Sequence, residues 1–452
     1  MKIDVLVAEI GSTTTVINAF DGICTDNPKF IGQGQAPTSV LEGDVNTGLK
    51  AAIDDLEKKL GDTQLEYSEL LATSSAAGGL KMTVHGLVYD MTAKAAEEAA
   101  LGAGAIIHMV TAGRLRRTDI EKIRSIRPNI ILIAGGLDYG ERDTALDNAE
   151  KISDALKGVP VIYAGNRENQ DEIRELFKGE KDTLYIVDNV YPKVDLLNVE
   201  PCRRVIQQAF EKHIVHAPGM ERVREMVNGP IIPTPGAVME AARLLKENIG
   251  DLMVIDVGGA TTDVHSVTSD SDEIARILLA PEPEAKRTVE GDLGVYVNAH
   301  NVVDRIGAEK LSMELGIDAE RILNEYKAIP STPDQVKLVE RLTLEAVLTA
   351  VQRHAGTVRR LYGETGRKSI AEGKDLTQVK YIIGTGGALT RLPNRVEIMR
   401  QIAISAKGTG LFPTREAEIL VDNYYIMASL GVLSKRYPEA ALKLMKESLN
   451  IA

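Results

Sequence analysis

The chain has 452 residues, of which 44% are hydrophobic, and this length predicts two or more domains with ample buried cores. Its 53 Lys and Arg residues face 65 Asp and Glu residues, and the net charge of −12 argues against nonspecific binding to nucleic acid or to an anionic membrane. Two cysteines, Cys24 and Cys202, are too few for a disulfide framework, and no run of about eighteen apolar residues occurs. We therefore expect a cytoplasmic protein without a signal peptide or a membrane span.

The first predicted element is a buried strand that runs into "AEIGSTTTV", Ala8–Val16. An acid, Glu9, is followed by a glycine and four hydroxyl residues, and such a strand end can hold a metal-chelated phosphate. An ordinary solvated hairpin turn has the same composition, so this stretch alone leaves both interpretations open. The residues that we expect at the phosphate are Gly11, Ser12, Thr13 and Thr14.

The next region, about 66–200, alternates helical stretches with short apolar strands. Examples are "RDTALDNAEKISDALKG" and the strands "NIILIAGG", "VPVIYAGN" and "DTLYIVDN". This rhythm predicts a parallel α/β sheet. An elaborated first domain and an inserted domain would both produce the pattern.

Two later helices carry faces of small residues. One is "PGAVMEAARLLKENIG", 235–250, and the other is "NYYIMASLGVL", 423–433. Small residues let helix axes cross closely, although a plain buried amphipathic helix is the alternative for each. The small residues are Ala237, Ala241 and Ala242 in the first helix and Ala428, Ser429 and Gly431 in the second.

The strand after the first of these helices repeats the start of the chain. "DLMVIDVGGATTDV", Asp251–Val264, aligns without gaps with "DVLVAEIGSTTTVI", and Asp256 coincides with Glu9. Two such strand and turn units imply two similar half-domains. If their turns face each other, the two acids meet a polyphosphate with magnesium between them, which predicts a nucleoside triphosphate site.

The second copy adds an acid of its own. Asp263 stands where the first copy has the apolar Val16, and we expect it to orient water or metal at the same nucleoside triphosphate site. The other residues of this turn that we expect at the phosphates are Gly258, Gly259, Ala260, Thr261 and Thr262.

A third strand breaks into glycines in "YIIGTGGALTRLP", Tyr381–Pro393. A glycine cluster of this kind leaves room for a flat group, but it also serves as an ordinary strand-to-helix turn. We expect the adenosine to contact Gly384, Gly386, Gly387 and Arg391.

In this order, "EIGSTTT", "DVGGATTDV" and "GTGGALTRLP" resemble the phosphate 1, phosphate 2 and adenosine motifs of the actin-like ATPase superfamily, which includes DnaK-type chaperones and sugar kinases. The resemblance implies an α/β fold with two actin-like, ribonuclease H-like lobes, the inserted α/β region in the first, and the two helices as their connections. It implies lobes at 1–235 and 236–422, with 423–452 returning to the first lobe. It also implies ATP with Mg²⁺, held partly through water by Glu9, Asp256 and Asp263 as the catalytic acids. Glu9 departs from the usual aspartate, and its carboxylate reaches one methylene further.

Over essentially the whole chain the sequence resembles the MutL or GlmL family that accompanies glutamate mutase, which is unrelated to the mismatch-repair protein of the same short name. The resemblance is carried by "AEIGSTTT", "ATSSAAGGLKMTVHGLV", "AAEEAALGAGA", "RPNIILIAGGLD" and "VIDVGGATTDVHSV". It implies an ATP-dependent reactivating chaperone for an adenosylcobalamin-dependent aminomutase, with glutamate mutase as the expected partner. The chain contains no cobalamin-binding "DxHxxG" run, so the cobalamin should belong to the partner. A homodimer stays open.

Three other functions are weighed against this one. A small-molecule kinase would share all three motifs, but it also needs a pocket for the acceptor with a carboxylate base. The aromatic content is only 4% and tryptophan is absent, which argues against a site where a sugar stacks on aromatic side chains. A dehydratase activator needs closely placed cluster cysteines, whereas Cys24 and Cys202 are far apart. A scaffold that binds ATP without hydrolysing it stays open.

Overall fold

The computed structural model describes residues 1–11, 14–39, 44–75, 80–179, 183–214, 220–363, 366–405 and 408–451. The chain divides into two compact units. The first unit consists of Met1–Glu240 with Ala428–Ala441, and the second consists of Ala241–Met427 with Leu442–Ala452. The lobe boundaries expected from the sequence stay a prediction.

Strands alternate with helices along most of the chain. The strands are β1 (Lys2–Ile10), β2 (Thr14–Asp21), β3 (Lys29–Pro37), β4 (Glu66–Ser74), β5 (Lys81–Gly86), β6 (Ile106–Ala112), β7 (Ile130–Ile133), β8 (Val161–Tyr163), β9 (Leu184–Ile186), β10 (Ile231–Pro233), β11 (Leu252–Val257), β12 (Thr262–Val267), β13 (Ala285–Glu290), β14 (Thr357–Gly363), β15 (Gly366–Glu372), β16 (Tyr381–Thr385) and β17 (Glu418–Val421).

Helices connect and cover these strands. They are α1 (Val45–Lys59), α2 (Lys94–Gly102), α3 (Arg117–Ile126), α4 (Asp143–Ala155), α5 (Gln170–Leu176), α6 (Glu200–Ile214), α7 (Met220–Met226), α8 (Thr234–Ile249), α9 (Asp272–Ala275), α10 (Ala299–Ile306), α11 (Ala308–Leu315), α12 (Ala319–Glu325), α13 (Pro333–His354), α14 (Gly386–Arg391), α15 (Arg395–Ser405), α16 (Met427–Leu433) and α17 (Pro438–Ser448). A π-helical turn, Tyr89–Ala93, precedes α2, and a 3₁₀ turn, Arg167–Asn169, precedes α5.

The first unit contains a mixed sheet built around β1. Its strand order is β10-β4-β1-β2-β3, in which β1 and β2 are antiparallel, β2 and β3 are antiparallel, and β4 lies parallel to both β1 and β10. Leu6, Ala8 and Ile10 are fully buried, as expected for a central strand with both faces covered.

The second unit repeats this topology around β11. Its order is β13-β12-β11-β16-β17, in which β12 is antiparallel to both β13 and β11, and β16 is parallel to both β11 and β17. When the strands of each sheet are numbered in chain order, both sheets have the spatial order 3-2-1-4-5. Corresponding neighbours also run in the same relative directions. The sequence repeat is therefore a repeat of fold, and the predicted pair of actin-like, ribonuclease H-like α/β units is confirmed.

The first unit also holds a second sheet with the order β6-β5-β7-β8-β9, in which all neighbours are parallel. Helices α2 and α6 contact each other, while apolar residues of α3, α4 and α5 form a separate core with β7 and β8. This is a doubly wound sheet of order 2-1-3-4-5. The parallel α/β region predicted from the alternating pattern is thus present. Strand β4, which falls inside the predicted range 66–200, pairs instead with β1.

The small-residue face of α16 contacts α8 directly. A Cβ atom added at Gly431 would overlap the backbone carbonyl of Ala237. Because glycine has no side chain, the two helix backbones approach more closely here than any other residue would allow. The expected close helix crossing is present at this point of the first unit.

Among the described residues, no helix combines the length and the apolar character that crossing a membrane requires.

Candidate phosphate-binding hairpins

The two copies of the repeat form hairpins with the same turn. In the first, the Gly11 amide donates to the Thr14 carbonyl at 3.0 Å, and in the second the Gly258 amide donates to the Thr261 carbonyl at 2.9 Å. A Cβ atom at Gly11 would lie 2.6 Å from the same Thr14 oxygen, so this turn requires glycine. Ser12 and Thr13 lie outside the described residues, and their phosphate role stays a prediction.

The turn of the second hairpin directs three amide groups away from its supporting loop. The carbonyls of three consecutive turn residues each accept a hydrogen bond from residues 295–298. The C=O and N–H groups of one peptide point in opposite directions, so the next three amides face away from that loop. In the described part of the chain these amides, Gly259, Ala260 and Thr261, donate to no acceptor. The supporting bonds are Val295 N to Gly258 O (3.2 Å), Val297 N to Gly259 O (2.7 Å) and Asn298 Nδ2 to Ala260 O (2.7 Å).

The supporting loop, 291–298, is a part of the site that the sequence reasoning missed. A Cβ atom at Gly294 would overlap the backbone of Ala260, so the loop and the turn are in direct contact. The signal was the pair of glycines in "GDLG", Gly291–Gly294. The loop holds the turn so that its amides form a concave donor surface, the arrangement that binds anionic oxygens in phosphate sites.

Asp256 lies on β11 opposite two residues of neighbouring strands, Asp263 on β12 and Thr385 on β16. Gly386 follows Thr385 with φ +81°, and a Cβ atom there would overlap Asp256 Oδ1. Gly386 is therefore required both by its own backbone conformation and by the carboxylate beside it. Thr385 in turn donates to the buried Asp422 at 3.0 Å, a partner that the sequence did not reveal.

The predicted adenosine glycines differ in their surroundings. Gly384 is buried, and a Cβ atom there would lie 2.6 Å from Met399 Sδ. Gly387 is exposed, and a Cβ atom there would meet nothing within 4 Å. Of these glycines, Gly387 is the one with open space beside it, and Arg391 is exposed at the end of the same helix. The adenosine contacts stay a prediction.

Asp263 forms a buried ion pair. Arg287 on β13 reaches its Oδ1 with Nε at 2.8 Å and Nη2 at 2.5 Å, and Thr261 Oγ1 donates to Oδ2 at 3.1 Å. Both side chains of the pair are less than a tenth exposed. Thr262 is buried and donates its hydroxyl to the Leu293 carbonyl. Asp263 therefore positions Thr261 in this structure, and Arg287 is a site residue that the sequence reasoning missed.

Glu9 is bonded to helix α16. Its Oε1 accepts the Ser429 amide at 3.1 Å, the Ser429 hydroxyl at 2.5 Å and Asn18 Nδ2 at 3.2 Å. The side chain is buried, and its extra methylene relative to aspartate extends its reach toward the helix. Its magnesium role stays a prediction, while its role in holding α16 is visible.

The position of Asn18 in the first hairpin corresponds to His265 in the second, since each lies nine residues after the strand acid. His265 is fully buried, and neither ring nitrogen has a hydrogen-bond partner in the described part of the chain. Burial lowers the pKa of His265 to about 3, because the charged imidazolium would lose its hydration. His265 is therefore neutral beside the Asp263–Arg287 pair.

Within the described residues, no group of three or more His, Cys, Asp or Glu side chains is gathered as a metal site. Mg²⁺ in a nucleotide complex keeps several waters and takes only one or two carboxylates besides phosphate oxygens. Asp256 is a carboxylate on the strand that leads into a turn with three amides that have no acceptor among the described residues. The donor set of the second hairpin therefore suits a hydrated Mg²⁺–phosphate group.

The paired ribonuclease H-like units with glycine hairpins define the class as actin-like. The family model described as "MutL protein" matches residues 5–449. The chain is also 37% identical over 460 aligned positions to Protein MutL of Clostridium tetanomorphum, covering 98% of both chains. The chain belongs to the MutL family.

Solved structures give weaker likenesses. A glycerol dehydratase reactivase has a TM-score of 0.34 and 11% identity, covering 95% of this chain and 99% of that one. A diol dehydratase-reactivating factor has a TM-score of 0.35 and 9% identity, covering 96% and 100%. The activator of the 2-hydroxyisocaproyl-CoA dehydratase from Clostridium difficile, solved with bound ADPNP, has a TM-score of 0.30 and 11% identity, covering 99% of each chain. At these TM-scores the likenesses carry no argument about function.

Proposed function

We propose that this protein is a magnesium-dependent ATPase that serves as an accessory protein for an adenosylcobalamin-dependent mutase, with glutamate mutase as its partner. The observation that carries the ATPase part is the second hairpin. Three backbone amides of one turn have no acceptor in the described part of the chain, and the Asp256 carboxylate stands near the end of the strand that leads into that turn. Membership of the MutL family supports the accessory role.

Each part of the hairpin has a role in the proposed reaction. The amides of Gly259, Ala260 and Thr261 donate to phosphate oxygens and stabilise the charge that develops during phosphoryl transfer. Asp256 holds the metal through water. Bound Mg²⁺ supplies the positive charge that offsets the polyphosphate. Asp263, fixed by Arg287, accepts a hydrogen bond from the Thr261 hydroxyl and so holds this residue of the turn in place.

The accessory role follows from the chemistry of radical enzymes. Such an enzyme loses its cofactor in side reactions and holds the damaged form tightly, so an external source of free energy is needed to release it. An ATPase supplies that free energy if its nucleotide states differ in affinity for the partner.

The test measures recovery of isomerase activity. Cobalamin-inactivated glutamate mutase is mixed with free adenosylcobalamin, MgATP and this protein. We expect recovery that requires ATP and is lost with Asp256→Asn. The control Asp304→Asn changes an exposed acid of α10 and should behave like the wild type. Recovery without ATP would remove the ATPase from the mechanism, and stoichiometric phosphorylation of a metabolite would favour the kinase.

A further inference from the structure

The doubly wound sheet of the first unit ends in a strand with an open side. Strand β9 pairs only with β8 in the described chain, through Val161 N to Thr183 O at 2.6 Å and Val187 N to Tyr163 O at 3.0 Å. Alternate residues of a parallel strand direct their backbone groups to opposite sides. The N–H and C=O groups of Leu184, Ile186 and Asp188 therefore point away from β8, and none of them has a hydrogen-bond partner in the described residues.

A groove of about 420 Å³ lies at the C-terminal end of this open side. Ile186 and Val187 contribute apolar surface to it, Arg174 lines it from α5, and Arg204 lines it from α6. The outward backbone groups of Ile186 and Asp188 are thus accessible between two helices. An extended peptide chain placed there would continue the sheet by one strand.

The charges of the groove favour an acidic occupant. Arg204 is exposed and makes no ion pair in the described chain, and Arg174 is paired only with the almost fully exposed Asp171. Exposed pairs of this kind are weak and give way to a better partner. Among the described residues that line the groove, Asp188 is the single acid, whereas the whole chain carries a net charge of −12. A second copy of β9 would bring the same arginines against each other, which disfavours pairing between two copies of this chain.

The opposite edge of the same sheet is built differently. Strand β6 is longer, but its register with β5 shifts at a bulge where His108 is skipped. Bulges disrupt the ladder at an edge and are one device by which sheets prevent strand addition. The sheet therefore has one edge with a disruption and one edge with a groove and free backbone groups.

We infer that the open side of β9 is a docking site for an extended, acidic segment of a partner protein, which adds a sixth strand to the doubly wound sheet. Backbone hydrogen bonds to Ile186 and Asp188 supply the affinity, and Arg174 and Arg204 select acidic side chains. The site shares no residue with the phosphate-binding hairpins.

The first test uses the full chain and two fluorescein-labelled peptides of alternating valine and charged residues, one with glutamate and one with lysine. Fluorescence anisotropy should show tighter binding of the glutamate peptide, and added salt should weaken it. Arg204→Glu should weaken that binding by about tenfold, because an attraction becomes a repulsion. The control Arg117→Glu changes an arginine on α3 whose side chain is 93% exposed, and it should leave binding unchanged.

The second test separates strand addition from simple charge attraction. In Ile186→Pro the lost amide faces the open side, so the ladder with β8 stays intact. The Ile186 side chain packs against the core of α3, α4 and α5, so the fall in thermal unfolding temperature should match that of the control Ile186→Ala, which keeps the amide. Glutamate-peptide binding should fall by about tenfold or more, since one backbone donor is removed and the ring blocks the edge. Hydrogen exchange at Ile186 and Asp188 should slow when the peptide binds. Equal binding of the two peptides, or normal binding by Ile186→Pro, would overturn the proposal.

Discussion

Glu9 and Asp256 occupy the same place in two hairpins with the same turn, and yet they are held in different ways. Glu9 accepts hydrogen bonds from Ser429 and Asn18 and so fastens helix α16. Asp256 lies beside the backbone of Gly386, next to a turn with three amides that donate to no acceptor among the described residues. The acid of the first hairpin therefore connects that hairpin to a helix of its own unit, whereas the acid of the second stands beside a turn with unused backbone donors.

The residues around the two acids have diverged accordingly. Val16 in the first hairpin corresponds to Asp263 in the second, and Asp263 brings in the buried Arg287. The two copies thus keep the same backbone hairpin, while the side chains at matching positions differ and contact different residues. The first hairpin holds helix α16, and the different surroundings of the second are the reason that we propose the phosphate chemistry there.

The largest expected effect concerns the buried pair of the second hairpin. Arg287→Leu leaves the Asp263 carboxylate buried without its partner, and the free energy of unfolding should fall by about 3–5 kcal/mol. Urea unfolding followed by circular dichroism measures this loss. The double variant Asp263→Val with Arg287→Leu places a valine where the first hairpin has Val16, so no unpaired charge is buried. It should recover most of the stability. A loss of less than about 1 kcal/mol in the single variant would mean that the pair does not stabilise the second hairpin.

The second prediction compares the two acids in catalysis. Asp256→Asn should lower ATP turnover by on the order of a hundredfold, because the carboxylate that holds the hydrated metal is lost. Glu9→Gln should cost less than about tenfold, since an amide oxygen still accepts the hydrogen bonds of Ser429. Steady-state ATPase assays with saturating Mg²⁺ measure both variants. Equal losses would show that the hairpins share the chemistry evenly.

The third prediction uses two adjacent glycines. Gly386→Ala combines a left-handed backbone with an overlap on Asp256, and it should destabilise the protein by about 2–4 kcal/mol. Gly387→Ala lies in open space at the start of α14 and should be neutral or stabilising by up to about 1 kcal/mol. Thermal unfolding distinguishes them. Gly387→Val should keep that stability but weaken nucleotide binding, and unchanged affinity would place the base elsewhere.

The smallest expected effect concerns the first hairpin. Ser429→Ala removes the hydroxyl donor to Glu9 but keeps the backbone donor, and it should cost about 1–2 kcal/mol. The control Ser434→Ala removes a hydroxyl that donates to the Gly431 carbonyl near the end of the same helix, and it should cost about 0.5 kcal/mol or less. A Ser429→Ala variant as stable as this control would mean that Glu9 does not fasten α16.

Much of the fold was predictable because its signals are local. The apolar runs and glycine turns at Gly11 and Gly258 marked two hairpins, and alternating helices and strands marked the parallel sheet. The strand order of that sheet was not predictable from the pattern, since any of several orders buries the same apolar faces. The open edge at β9 follows from that order, and so the docking site escaped sequence reasoning.

The sequence by itself determined that two acids stand at the ends of two buried strands, each followed by a glycine turn, because strand and turn formation depend on neighbours within a few residues. Only the tertiary structure decided what each acid meets. Glu9 reaches Ser429 across 420 positions of the chain, and Asp256 lies beside Gly386. Such partners are set by how strands and helices pack, and a buried carboxylate is stable only where that packing supplies donors or a counter-charge.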